Sequence, residues 1–550
     1  MKHHLPTLFT IVALTAAGCG GRQHVDLVVY NAKVYTVDSA FSTAEAFAVD
    51  GGRFVAVGTS RDIRAGYRGK EEVDANGAAI YPGFMDGHSH FSSLGESLMR
   101  YADLSGCASF DEVLQRLKAH ADKYPSEWLL GRGWDQNLWP DKQFPDNREL
   151  NRLFPDRFVA LTRIDGHAGL VNDRLMQAMG FTAASHFDGG ALLTGPDGKP
   201  TGILLDAAYD LVKAAVPKLS TDERIRSFAA AQEACFKAGL STVADAGLDL
   251  PVIQLIDSLQ QSGALAIRIQ AMINPDSATT AYFYQRGPLH NDRLTVSSLK
   301  LYADGALGSR GANLIEPYAD DPGNRGLKIY TPDYYRSHCR AAYDAGFQVS
   351  THAIGDQGVR DMLGYYGECL GGTNDRRWRI EHSQVVYPDD FQLYGRYSII
   401  PSIQSTHATS DAPWAPARLG SRVRYAYAYR ELLQQNGWLV NGTDFPIEDI
   451  SPLGTFYAAV ARKSAVALLA GHPDSAAFQP ENALTREDAL RSITLWVARG
   501  AFDEARRGSI ESGKDADFVI LSADIMTIPI DEVPATSVNA LYIAGTKVTK

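Results

Sequence analysis

The stretch Pro82-Gly83-Phe84-Met85-Asp86-Gly87-His88-Ser89-His90 is an apolar strand that ends in two histidines one residue apart. On an extended chain, side chains at i and i+2 point to the same face, so both imidazoles reach one ion. An isolated pair of this kind is commonly incidental. Here it closes a strand and follows Asp86-Gly87, so the spacing gives the convergence that nitrogen ligands need.

Three further strand ends carry the same chemistry. His352 ends Val349-Ser350-Thr351-His352, His382 ends Ile380-Glu381-His382, and Asp444 follows Leu439-Val440-Asn441-Gly442-Thr443. Either histidine alone would ordinarily be a hydrogen-bonded core or surface residue, and Asp444 alone a turn or capping residue. Together they match a barrel active site, which gathers residues from the C-terminal ends of several strands.

The order of segments agrees. Short apolar strands alternate with helical stretches, as in 240–245 then 251–262 and 347–352 then 359–370, which predicts a parallel sheet with covering helices. Both ends of the chain are β-rich: 25–35 and 46–58, the latter around the hairpin signal Asp50-Gly51-Gly52, and 516–522 and 540–548. Neither end alone has enough strands for a stable sheet pair, so one small domain, 24–80 plus 506–550, is expected from both. The body between, 81–505, contains a segment of about 91–237 that breaks the rhythm and is rich in Trp, Pro, Asp and Gly around 131–146. It is expected as an insertion at the mouth.

With 45% hydrophobic and 21% charged residues the chain is suited to a globular core, and a net charge of -11 without any Lys/Arg run disfavours a nucleic-acid role. Residues 1–19, MKHHLPTLFTIVALTAAGC, read as an export signal: a basic start, an apolar run too short to span a membrane, then small residues. Ala16-Ala17-Gly18 before Cys19 resembles a lipoprotein cleavage box, which would make Cys19 the lipidated first residue of a protein anchored outside a bacterial cytoplasm. Ordinary secretion with cleavage nearby is the alternative. Cys107, Cys235, Cys339 and Cys369 show no metal or redox spacing and are expected as buried thiols.

The segments PGFMDGHSH, RIDGHAGLVN from Arg163, KLYADGALGSRGA from Lys300, THAIGD, IEHSQ, IPSIQSTHATSD from Ile400, NGTDFPIE from Asn441 and GSIESGKDADFVIL from Gly508 resemble the amidohydrolase superfamily. Within it they resemble the branch that includes N-substituted formamide deformylases, over about residues 25–550. The resemblance implies an α/β fold: a (β/α)8 TIM barrel with a small β-sandwich domain from both termini and a mouth insertion. It also implies one or two divalent ions, with a metal-bound hydroxide attacking a carbonyl carbon. His88, His90 and Asp444 would hold the more buried ion and His352 and His382 the second. Lys300 stands where many members carry a carbamylated lysine bridging both; a plain lysine beside a single ion is the alternative. Zinc is the first expectation, and iron or manganese suits the same donors.

Asp444 would shuttle the proton, with His407 and Arg163 as further catalytic groups. Trp134, Asp135, Asp165, His167, Gln404, Asp411 and Arg422 would meet the substrate. Ser405 departs from the family, in which many relatives have Pro after the Gln. The expected activity is hydrolysis of a C–N bond, an amide or formamide, in a small organic molecule. Ester, lactone or cyclic-amide hydrolysis by the same centre is the alternative, because the metal set recognises only the carbonyl. A non-catalytic surface binding lipoprotein is a third reading, and a nucleobase deaminase a weaker one. A small-molecule substrate is the expected partner, membrane contact comes only through the lipid anchor, and homo-oligomerisation is left open.

Overall fold

The computed structural model describes residues 21–163, 168–187, 190–472 and 476–549. The leader with Cys19, and the candidate residues Asp165 and His167, lie outside the described residues.

Eight parallel strands form the body: β1 (Phe84–Ser89), β2 (Leu240–Leu248), β3 (Arg268–Ile273), β4 (Leu294–Tyr302), β5 (Gln348–Ala353), β6 (Arg379–His382), β7 (Ile400–Ile403) and β8 (Val440–Asn441). Every residue of β1, β3, β6 and β7 is buried. That is the pattern of strands covered on both faces, here by helices such as Leu250–Gln261 and Asp356–Leu370. The expected (β/α)8 barrel is the fold found.

Closure of the barrel brings the HxH strand end and Asp444 together. Just beyond β8, Asp444 N donates to His88 O and His90 N donates to Phe445 O, each at 2.8 Å. Two glycines permit this approach. A Cβ on Gly442 would lie 2.4 Å from His88 N, and one on Gly87 2.1 Å from Val440 Cγ1. Both are far inside contact distance, so any side chain would force the seam apart. Asp86 clasps the same seam, accepting from Thr443 Oγ1 at 2.7 Å and from His88 N at 3.0 Å.

The chain ends share two sheets. One has the order 53–58, 46–50, 23–30, 67–74; the other places 518–521 of the C-terminal segment beside 79–82 of the N-terminal one, Val519 opposite Tyr81. Phe47 and Phe518 meet edge to face between the sheets, ring centroids 4.8 Å apart. A buried ion pair, Arg268 Nε to Asp517 Oδ2 at 2.6 Å, ties β3 to this domain.

Between β1 and β2 the chain builds a sheet of its own, six strands from Tyr101 to Asp206. Its core includes Trp134, Trp139, Leu150 and Leu161. The flanking helices Phe91–Arg100 and Thr221–Lys237 instead join the barrel's core, Phe91 against Phe228. Among the described residues no helix is long and apolar enough to cross a membrane. Cys107, Cys235 and Cys339 are buried free thiols and Cys369 a half-buried one.

Candidate metal centre

Each histidine of the β1 pair has one ring nitrogen occupied and the other aimed at the same place. His88 Nδ1 lies 2.5 Å from Glu381 Oε2, which leaves Nε2 facing Lys300 Nζ at 3.4 Å and Asp444 Oδ1 at 3.6 Å. His90 Nδ1 lies 3.1 Å from Ala246 O, and its Nε2 is 3.1 Å from Asp444 Oδ1. On β6, His382 Nδ1 meets Gln404 Oε1 at 2.7 Å. An oxygen acceptor on Nδ1 keeps the proton there and leaves the Nε2 lone pair available, the arrangement by which proteins orient metal-binding imidazoles.

Asp444 is buried, and its Oδ1 has no hydrogen-bond partner even though two imidazole nitrogens lie near it. Close donors that are not hydrogen-bonded to one another point at a shared third position. Ligand atoms of His88, His382 and Asp444 all lie within 4.8 Å of one another, and the His352 ring centroid is 4.5 Å from that of His382. Imidazole nitrogen with carboxylate oxygen suits a divalent ion such as zinc, iron or manganese.

The electrostatics favour the same use. Burial pushes His88 down to about 4 and His352 to about 3, Lys300 adding to both, and holds His382 well below its ordinary value. All three rings are therefore neutral at neutral pH, the form that binds metal. Burial would raise Asp444, but His90, His88 and His407 outweigh it and hold the carboxyl below the usual carboxylate range. Burial brings the Lys300 amine down to about 8.

Glu381 and His382 are consecutive, yet both reach His88: Glu381 by its carboxylate, His382 with ring centroids 4.9 Å apart. Regular strand residues would point to opposite faces. His382 has φ +74° and Asp444 φ +63°, so the backbone turns each side chain inward at the strand end. Such left-handed non-glycine positions concentrate at functional sites. Glu381 is in turn held by Arg379, whose Nε lies 2.7 Å from Oε1. Burial works to raise Glu381, but Arg379 and His88 prevail and keep it ionised. Asp304 accepts from the backbone N–H groups of Ile354, Gly355 and Asn313, and its Oδ1 stands 3.6 Å from His352 Nε2.

These groups open into a cavity of about 380 Å³. A sequence model described as the amidohydrolase family matches residues 71–549. This chain belongs to the amidohydrolase family. It is 32% identical to the protein LONG AFTER FAR-RED 3 of Arabidopsis thaliana, over 94% of this chain and 91% of that one. It is 25% identical to an N-substituted formamide deformylase of Arthrobacter pascens, over 94% and 97%. Among solved structures, an uncharacterized metal-dependent hydrolase from Pyrococcus furiosus superposes with a TM-score of 0.75 at 26% identity, covering 91% of this chain and all of that one.

Of the candidate residues in this amidohydrolase, His88, His90, Lys300, His352, His382, Asp444, His407 and Asp411 all line the cavity. His407, on the helix Ser405–Ser410 after β7, stacks on His382 and places Nε2 3.6 Å from Asp444 Oδ2. The other described candidates lie outside that cavity. Gln404, expected against the substrate, instead holds His382. Arg422 lines a separate cavity of about 250 Å³ with Asp356 and donates to the carbonyl oxygens of Glu316 and Pro317. Trp134 is in the core of the inserted sheet, donating Nε1–H to Leu161 O at 2.8 Å. Asp135 pairs with Arg163 at 2.8 Å within the same unit. Neither Trp134, Asp135 nor Arg163 lines the metal cavity.

Glu381, Arg379 and Asp304 escaped the sequence reading, as did the lining residues Gln384, Trp414, Ile447 and Glu448. Glu381 and Gln384 sat inside the quoted IEHSQ segment. A charged residue within an apolar strand, next to a ligand candidate, was the available signal.

Proposed function

We propose that this protein hydrolyses the C–N bond of an amide or formamide in a small organic molecule at a centre of one or two divalent ions, zinc first among them. The observation that carries this is the unpartnered Oδ1 of Asp444 with the Nε2 atoms of His88 and His90 close to it, beside a buried lysine. The N-substituted formamide deformylase among the relatives supports the C–N bond over an ester or lactone.

His88, His90 and Asp444 would hold the deeper ion, and His352 and His382 the outer one. A bound divalent ion lowers the pKa of its water and polarises the substrate carbonyl, effects worth several kcal/mol at the transition state. Lys300, whose amine lies low enough to be partly neutral, is suited to add CO2 and become a carbamate that bridges both sites. Asp444, whose carboxyl is held below the usual carboxylate range, would take the proton from the attacking water and return it to the leaving nitrogen. Water thus adds to the carbonyl carbon, the C–N bond breaks, and a carboxylic acid and an amine leave. His407 faces Asp444 Oδ2 and steadies the developing negative oxygen. From the leader read in residues 1–19 we propose that this chemistry takes place outside the cytoplasm.

Elemental analysis of protein lacking residues 1–19, beside a Lys300→Ala variant, tests the centre. About two equivalents of metal in the parent and fewer in the variant support the bridged pair. One equivalent that the variant leaves unchanged reduces Lys300 to a pocket residue. No metal after reconstitution removes the hydrolase reading.

A further inference from the structure

Two carboxylates line the metal cavity without serving the metal. Asp411 Oδ2 accepts from Gln384 Nε2 at 2.7 Å and from the Tyr427 hydroxyl at 2.8 Å, while Oδ1 has no hydrogen-bond partner among the described residues. Glu448 accepts one hydrogen bond, from Ser410 Oγ, on Oε1 alone. Neither is in a salt bridge among the described residues. Lys300, at the foot of the cavity, is the sole Lys or Arg among its described lining residues. The wall also includes the apolar side chains of Trp414, Ile447, Leu307 and Ile354.

A carboxylate fixed by two hydrogen bonds on one oxygen, its other oxygen without a partner among the described residues, is an oriented acceptor with a vacant position. Ordinary solubility does not require Gln384 and Tyr427 to anchor it. The cavity these two acids line is the one into which the metal-binding residues open, so it is already a ligand space.

We infer that the substrate carries a protonated amine or amidine on a short apolar or aromatic spacer from the scissile amide, with Asp411 and Glu448 receiving the cation and the Trp414 ring packing against the spacer. This rests on the metal-hydrolase assignment and narrows it to one substrate class. A cation brought between two unpaired carboxylates gains charge-assisted hydrogen bonds in a partly dry site, whereas a substrate anion there meets repulsion. The aromatic face of Trp414 favours the same charge.

The test uses three matched formamides on the metal-loaded protein: N-(para-aminomethylbenzyl)formamide, N-(para-methylbenzyl)formamide and para-(formamidomethyl)benzoate. The expected kcat/KM is about tenfold higher for the ammonium compound than for the methyl compound, with the benzoate poorest. In an Asp411→Asn, Glu448→Gln double variant the ratio between ammonium and methyl compounds falls toward unity. Because this is a ratio within one enzyme, a general loss of activity cancels. Equal kcat/KM for all three in the parent, or an unchanged ratio in the variant, overturns the inference.

A second arm separates it from the hydrolase assignment: calorimetric binding of the three corresponding benzyl alcohols, which have no bond to hydrolyse. Preferential binding of the aminomethyl alcohol, lost in the double variant, upholds the charge selection even where no formamide is cleaved. Indifferent binding by a protein that cleaves formamides overturns the charge selection alone.

Discussion

Glu381 and His88 stand 293 positions apart in the chain and meet at 2.5 Å in a fully buried contact. The carboxylate fixes the imidazole's tautomer and so decides which nitrogen faces the cavity. Replacing Glu381 with Gln keeps the shape but removes the charge that anchors the ring. Metal affinity is expected to fall by about 10- to 100-fold. Competition with a chelator measures it, and an unchanged affinity would show that His88 is oriented by packing alone.

The seam between β1 and β8 gives a second expectation. Gly442→Ala places a methyl 2.4 Å from a backbone nitrogen that has no room to move. The expected cost is about 3 kcal/mol, at the upper end of core overpacking. Thermal unfolding should register that loss and metal content should fall with it, since Asp444 is two residues away. A stable variant with full metal would mean that the seam opens without disturbing the ligands.

Trp134→Ala tests whether that residue serves the inserted core alone. Loss of a buried indole costs about 3–5 kcal/mol in the unit that contains it. Earlier melting of that unit, with metal content of the native protein intact, is the expected result. Loss of metal at temperatures where the fold persists would restore Trp134 to the site.

Acid sensitivity should arise at the Arg268–Asp517 pair. Burial works to raise Asp517, but Arg268 outweighs it and the folded carboxyl lies below its ordinary value. A depressed carboxylate stabilises the fold above its unfolded pKa of about 3.9, and that contribution disappears as pH falls through the lower folded value. Asp517→Asn should therefore cost about 3 kcal/mol near neutrality, by leaving Arg268 without its closest partner, and should flatten the fall in stability below about pH 4. Urea unfolding across pH 3–7 reads both, and parallel curves for parent and variant would assign the acid loss to other groups.

Ligand candidates were legible in the sequence where strand geometry is local. His88 and His90 share a face because of their spacing, and His352, His382 and Asp444 each close an apolar run. The barrel was legible because its short strands are largely apolar or β-prone and alternate with helical stretches. Supporting residues were not, because their partners are remote in the chain: Glu381 is read only once β6 lies near β1, and Gln404 only once β7 lies beside β6. Trp134, Asp135 and Arg163 were harder to place for a related reason. Polar and aromatic residues in a long insertion resemble a lid, and here Trp134 is in the core of the inserted sheet while Asp135 and Arg163 pair, half-buried, within the same unit. Arg422 donates to nearby carbonyl groups beside a separate cavity, a placement that depends on remote partners.

Asp86 and Thr443 are 357 positions apart and clasp where the barrel closes. During synthesis the centre therefore cannot assemble until nearly the whole body has been made, because one wall of it arrives with the last strand. Such distant pairing is slow to form. An ion that binds only the closed ring would act as a latch, selecting closed rings from those still opening and drawing folding to completion. Metal supply would then govern how much of the protein reaches its final form as well as how fast each molecule turns over.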